Sequence, residues 1–200
     1  MPKIIKNLEI TICNTALELF CTLNYDEVDM KTIAKNSGIA VGTLYNYFSN
    51  KLELYIFILC KSWDITFEKI NQIRELEKDS SEKIRILISV LYKDVVFRNG
   101  MGNYGLFFSK HTEVNCRLIE LKQSISNSLL CFLNDTYDLD TVTANKFIEC
   151  IFTNLISLIH NYEYDTDNNI IFLSEFAISY LKDKERSDIL LYKLTQTNCP

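Results

Sequence analysis

Apolar residues recur every three or four positions along most of this chain, the period of one helix face, and no stretch sustains strict alternation. Ile5, Leu8, Ile12, Ala16, Leu19 and Leu23 form the first such face and predict a helix ending near Asn24. A polar connection, NYDEVDM, follows. Asp29 is placed to cap a short second helix opened by Met30, Ile33 and Ala34. That helix must stop at Ser37 and Gly38, because glycine takes the left-handed conformation a helix end requires. A third short helix is expected over about 40 to 48. Leu44 and Phe48, four apart, are its core pair.

From Lys51 the periodicity lengthens through Leu52, Tyr55, Ile56, Leu59, Trp63, Phe67 and Ile70, a long helix. The charged stretch RELEKDSSEK breaks it and is the best linker candidate. Further helices are predicted at 82–97, 113–134, 141–162 and 169–181, with a short one at 187–194. The glycine-rich NGMGNYG reads as a loop. The fold class is therefore all-α: a three-helix N-terminal domain at 1–50 and a larger helical domain at 51–200.

Composition narrows the class. With 48% apolar and 24% charged residues the chain can bury a core without disulfides or metal. Its longest apolar run, FIECIFTNLISLI, keeps a recurring polar minority and reads as a buried helix, not a membrane span. Glu9 and Glu18 interrupt the N-terminal apolar stretch, so no secretory signal is read and a cytoplasmic location is expected. Seven cysteines are scattered without a CxxC pair, most at helical spacing among apolar neighbours, and read as small core hydrophobes. The two histidines, His111 and His160, have no ligand partner three or four residues away. Neither a metal, a cofactor nor catalytic residues are expected, and the chain is not read as an enzyme.

Two short helices joined through Ser37 and Gly38 have the spacing of a helix-turn-helix, whose second helix enters the DNA major groove. The segment YDEVDMKTIAKNSGIAVGTLYNYFSNKLELY resembles, over its whole length, the N-terminal part of TetR-type transcriptional regulators. The shared marks are the aromatic-Asp-x-Val entry, Ile33 and Ala34 with Gly38 four residues on, GTLYNYF at 42–48, and Asn50 with Lys51. Asn24 stands in place of the family's usual glycine. Ala40 stands where a capping Ser or Thr is common, and Val41 where a polar or basic residue is frequent.

With Leu44 and Phe48 inward, Thr43, Asn46 and Tyr47 point outward, with Val41, Gly42 and Tyr45 at the leading edge. Thr43, Tyr45 and Tyr47 can donate to phosphate oxygens, Asn46 can pair with an adenine edge, and Val41 can touch a thymine methyl. Gly42 allows close backbone approach. Lys31 and Lys51 are candidates for phosphates. Residues 1–51 carry five lysines against five carboxylates, so the formal charge of −5 resides in the remainder. Attraction to DNA must then come from local placement of cations, with weak non-specific binding.

The resemblance implies a homodimer, closed by a bundle of C-terminal helices, that binds operator DNA and holds a small-molecule effector. The helices at 141–162 and 169–181 are the most continuously apolar pair and are the expected dimer face. Trp63, Phe67, Tyr92, Tyr104, Phe107, Phe108, His111 and Phe152 are candidates for a pocket that takes an apolar or aromatic effector. The expected function is a repressor released by that effector. The alternative is a helical protein-binding adaptor that has lost DNA binding.

Overall fold

A computed structural model describes residues 8–23, 25–98, 101 and 116–197, with side chains to 184. The described residues form eight α-helices and one 3-10 turn. The helices are α1 (Leu8–Thr22), α2 (Met30–Asn36), α3 (Val41–Tyr45), α4 (Lys51–Arg74), α5 (Ser80–Phe97), α6 (Cys116–Thr136), α7 (Thr141–Asn161) and α8 (Thr166–Thr197). The turn is Tyr25–Glu27.

The chain divides into two compact units. One draws on Met1–Ile65 and Asp94–Lys122, the other on Thr66–Lys93 and Gln123–Pro200. In the first, α1 packs on α2 and α2 on α3. Leu8, Ile12, Ala16 and Phe20 are the buried stripe of α1; Phe20 takes the place expected of Leu19, which is half-buried, and Leu23 is exposed. Phe20, Tyr25 and Tyr55 meet edge to face or stacked, with centroids 4.9 to 6.0 Å apart. In the same unit Arg98 is buried. It donates through Nε to Ser62 Oγ (2.9 Å) and through a terminal nitrogen to the Ser62 carbonyl (2.8 Å). Its guanidinium lies 4.5 Å over the Trp63 ring. Burial pulls its pKa down to about 10.

In the second unit α7 packs on α8. Ala144, Phe147, Ile148, Ile151, Phe152 and Leu155 form the buried stripe of α7. By length and composition α7 could cross a bilayer. Its buried stripe instead makes it a core helix, as its polar minority of Glu149, Cys150, Thr153 and Asn154, all exposed, indicates. Asp140 caps it, accepting from Val142 and Thr143 backbone N–H groups at 3.0 Å. Asn169, buried on α8, donates to Tyr92 Oη of α5 and to the Tyr162 carbonyl, both at 2.8 Å.

Three expectations need correction. The helices expected at 169–181 and 187–194 are one continuous helix, α8. The residues between them, KDKER, contain no glycine or proline and are mostly good helix formers, so a break in apolar period is not a break in backbone. Helix α4 also runs past Ile70 to Arg74, the first residue of the charged stretch expected as a linker, and α5 takes up its last four residues from Ser80, so the connection is only residues 75–79. The cysteines are less buried than their neighbours suggest. Cys13, Cys21 and Cys60 are half-buried, and Cys116, Cys131 and Cys150 are exposed, because helical period admits exposed positions beside apolar ones. Cys199 lies outside the described residues. Burial, reinforced by Glu9, pushes the Cys13 thiol up to about 11, far from the reactive thiolate range.

Candidate nucleic-acid interface and ligand cavity

The reading head is assembled from two helix ends. Asp29 Oδ1 accepts the Thr32 backbone N–H at 2.7 Å and opens α2. Those hydrogen bonds hold its carboxyl below the ordinary value of 3.8. At the other end Gly38 takes φ +69°, a conformation costly for any residue with a Cβ. Ile39 N–H reaches the Ala34 carbonyl (3.0 Å) and Gly38 N–H the Lys35 carbonyl (3.1 Å). This pair of bonds is the Schellman closure, and it turns the chain directly into α3.

Helix α3 begins without a side-chain cap, as alanine at position 40 dictates. Its regular part ends at Tyr45, earlier than expected, but Phe48 N–H still bonds the Leu44 carbonyl at 3.0 Å. Leu44 and Phe48 are both buried, so the expected core pair anchors the helix. Tyr45 and Tyr47 are 50% and 44% exposed. Gly42 and Asn46 are exposed, and Val41 and Thr43 half-buried. A methyl group built on Gly42 would meet nothing within 4 Å, so packing within the chain does not require glycine there.

Of the two lysines, Lys31 is exposed on α2. Lys51 is half-buried and already engaged. Its Nζ donates to the Tyr25 carbonyl at 2.8 Å and sits 4.1 Å over the Tyr25 ring. It therefore ties the 3-10 turn to the start of α4. Asn50 caps that helix by accepting Glu53 N–H (2.9 Å), while Glu53 accepts from the Ser49 N–H and hydroxyl. The Ser49 bonds lower the Glu53 pKa.

The second unit contains a small apolar cavity of about 20 Å³, partly open to solvent. Helix α5 lines it with Ile84, Leu87, Ile88 and Leu91, α6 with Leu129 and Leu133, and α7 with Phe147, Ile148, Ile151 and Phe152. Every lining residue is apolar. Of the pocket candidates read from the sequence, Phe152 is among them. Trp63 lies in the first unit under Arg98, Phe67 is half-buried, and Tyr92 is tied to Asn169, none of them lining the cavity. Tyr104, Phe107, Phe108 and His111 lie outside the described residues. The aliphatic lining residues were missed because leucines and isoleucines on a helix face read as plain core. Among the described residues no cluster of three or more His, Cys, Asp or Glu side chains could hold a metal.

The two helices and their Gly38 turn have the geometry of a helix-turn-helix. Residues 12–56 match the family described as "Bacterial regulatory proteins, tetR family". The N-terminal segment of the chain is therefore a TetR-family helix-turn-helix. It is 26% identical over 123 residues to the fatty acid metabolism regulator protein of Bacillus subtilis, covering 62% of this chain and 61% of that protein. It is 29% identical over 93 residues to the transcriptional activator FasR of Mycolicibacterium smegmatis, covering 46% of this chain and 42% of that one. The chain thus spans less than two thirds of these curated relatives. Among solved structures, FadR from Bacillus subtilis in complex with stearoyl-CoA superposes with a TM-score of 0.70 at 20% identity, over 86% of this chain and 98% of that one. FadR from Bacillus halodurans gives 0.69 at 22%, over 84% and 97%. These two likenesses establish the fold.

Proposed function

We propose that this protein is a cytoplasmic, homodimeric repressor that leaves its operator when the cavity takes up the acyl chain of a fatty acyl-CoA. The observation that carries the reading is the cavity lining, ten residues without a polar atom in any side chain. Such a site has nothing to orient a polar or flat hydrogen-bonding effector, and it rewards each methylene buried by about 0.8 kcal/mol. The coenzyme, being charged, stays outside it. A structural neighbour bound to stearoyl-CoA and a relative named for fatty acid metabolism support the same chemistry.

On the DNA side, Thr43, Tyr45 and Tyr47 contact phosphates and Asn46 and Val41 read base edges, with Gly42 allowing close approach. Lys31 supplies countercharge, and Lys51 does so by giving up the Tyr25 carbonyl. The dimer forms through the outward faces of α7 and α8. Two reading heads must lie about 34 to 36 Å apart to meet successive major grooves, so a ligand that favours another spacing releases DNA by its difference in affinity for the two states.

The test is a mobility shift with DNA upstream of the protein's own gene, titrated with saturated acyl-CoAs, free coenzyme A and free fatty acid. Release by long-chain acyl-CoA, and not by coenzyme A alone, is the expected result. A DNA complex indifferent to every acyl-CoA would eliminate the effector assignment. Failure to shift any such DNA would favour the adaptor reading.

A further inference from the structure

One side of the cavity is bordered by a stacked pair of rings. Phe147 of α7 lines the cavity, and its ring stacks on Tyr180 of α8 at 5.5 Å between centroids and 15° between planes. Tyr180 does not line the cavity and is 42% exposed. Phe147 thus has cavity on one side and, on another, a ring that itself faces outward. A side chain buried among close-packed atoms on every side cannot move without opening a void, whereas Phe147 lies between the cavity and the Tyr180 ring, so that removing that ring leaves room into which Phe147 can turn. The aliphatic lining residues on α5 and α6, such as Ile84, Leu87 and Leu129, are buried.

We propose that Phe147 and Tyr180 form an adjustable wall of the cavity, Phe147 setting how long an acyl chain is accepted and Tyr180 holding Phe147 in place through the stack. The inference rests on the acyl-CoA reading above. Phe147 is the specificity-determining residue, and Tyr180 is a positioning residue that acts through it. Removing the Tyr180 ring frees Phe147 to turn outward and lengthens the cavity. Each further methylene that becomes buried then gains about fourfold in affinity.

The experiment measures dissociation constants of wild type, Tyr180→Ala, Tyr180→Phe and Phe147→Leu for a graded series of saturated acyl-CoAs. The readout is the chain length of tightest binding, because a loosened fold weakens all lengths alike and leaves the optimum where it was. Tyr180→Ala and Phe147→Leu are expected to move the optimum to longer chains, by about fourfold in relative affinity for each methylene gained. Tyr180→Phe, which keeps the ring, should retain the wild-type optimum. An unmoved optimum in Tyr180→Ala overturns the proposal. If wild type binds no acyl-CoA, the effector reading fails separately, and the same variants are then compared with a graded series of n-alkanols. A shifted alkanol optimum in Tyr180→Ala supports the wall, and an unshifted one overturns it.

Discussion

Gly42 and Asp29 each isolate one physical term. Because a Cβ at position 42 meets nothing in the chain, Gly42→Ala is sterically free and should stabilise the protein by roughly 0.5–1 kcal/mol through helix propensity. If backbone there lies against DNA, the same methyl should weaken operator binding. Raised stability with unchanged operator affinity, from urea melts beside mobility shifts, would place the DNA elsewhere. Asp29 is held low in the folded state by the Thr32 N–H, and Asp140 by its hydrogen bonds with Thr143. A depressed carboxylate contributes stability that is complete above its unfolded pKa and lost as pH falls through the folded one. The window therefore lies below the ordinary aspartate value of 3.8. Asn caps helices as well as Asp. Asp29→Asn with Asp140→Asn should keep the neutral-pH Tm and flatten its acid limb, and an acid limb matching wild type would contradict this cause.

At the scale of elements, a buried amide ties α5 to α8 beside the exposed Arg85–Glu175 ion pair. Asn169 sends its Nδ2 hydrogens to Tyr92 Oη and the Tyr162 carbonyl, joining a cavity-lining helix to the start of α8. Tyr92→Phe removes one acceptor while preserving ring volume. It should cost about 1–2 kcal/mol, because a buried N–H is left without its partner. Equilibrium urea unfolding measures this, and a loss below about 0.3 kcal/mol would show that the amide finds another acceptor.

For the whole molecule, the outward side of α8 is the feature that a single chain does not explain. Ile171, Phe172, Phe176 and Tyr180 are all exposed large apolar residues, and Phe172, Phe176 and Tyr180 repeat every four residues along one stripe. In the proposed dimer this stripe meets its symmetry mate, so Phe172→Glu with Phe176→Glu should give monomers by sedimentation. Since two half-sites are then no longer bound together, operator affinity should fall by two or more orders of magnitude, the usual scale of avidity. Dimers that persist in the double variant would put the interface on another face.

The sequence alone determined the reading head. Asp29, Gly38, Leu44 and Phe48 act through caps, a positive φ and an i to i+4 core pair, all of them interactions within a few residues. The same locality made the helical class and the polar minority of α7 legible from period. Tertiary structure decided what period cannot rank. It turned Lys51 inward onto Tyr25 across 26 residues of chain. It placed Trp63 beneath Arg98 and built the cavity from leucines and isoleucines of three helices. An aliphatic side chain that packs and one that borders a void have the same sequence signature, and only the distances between helices separate them.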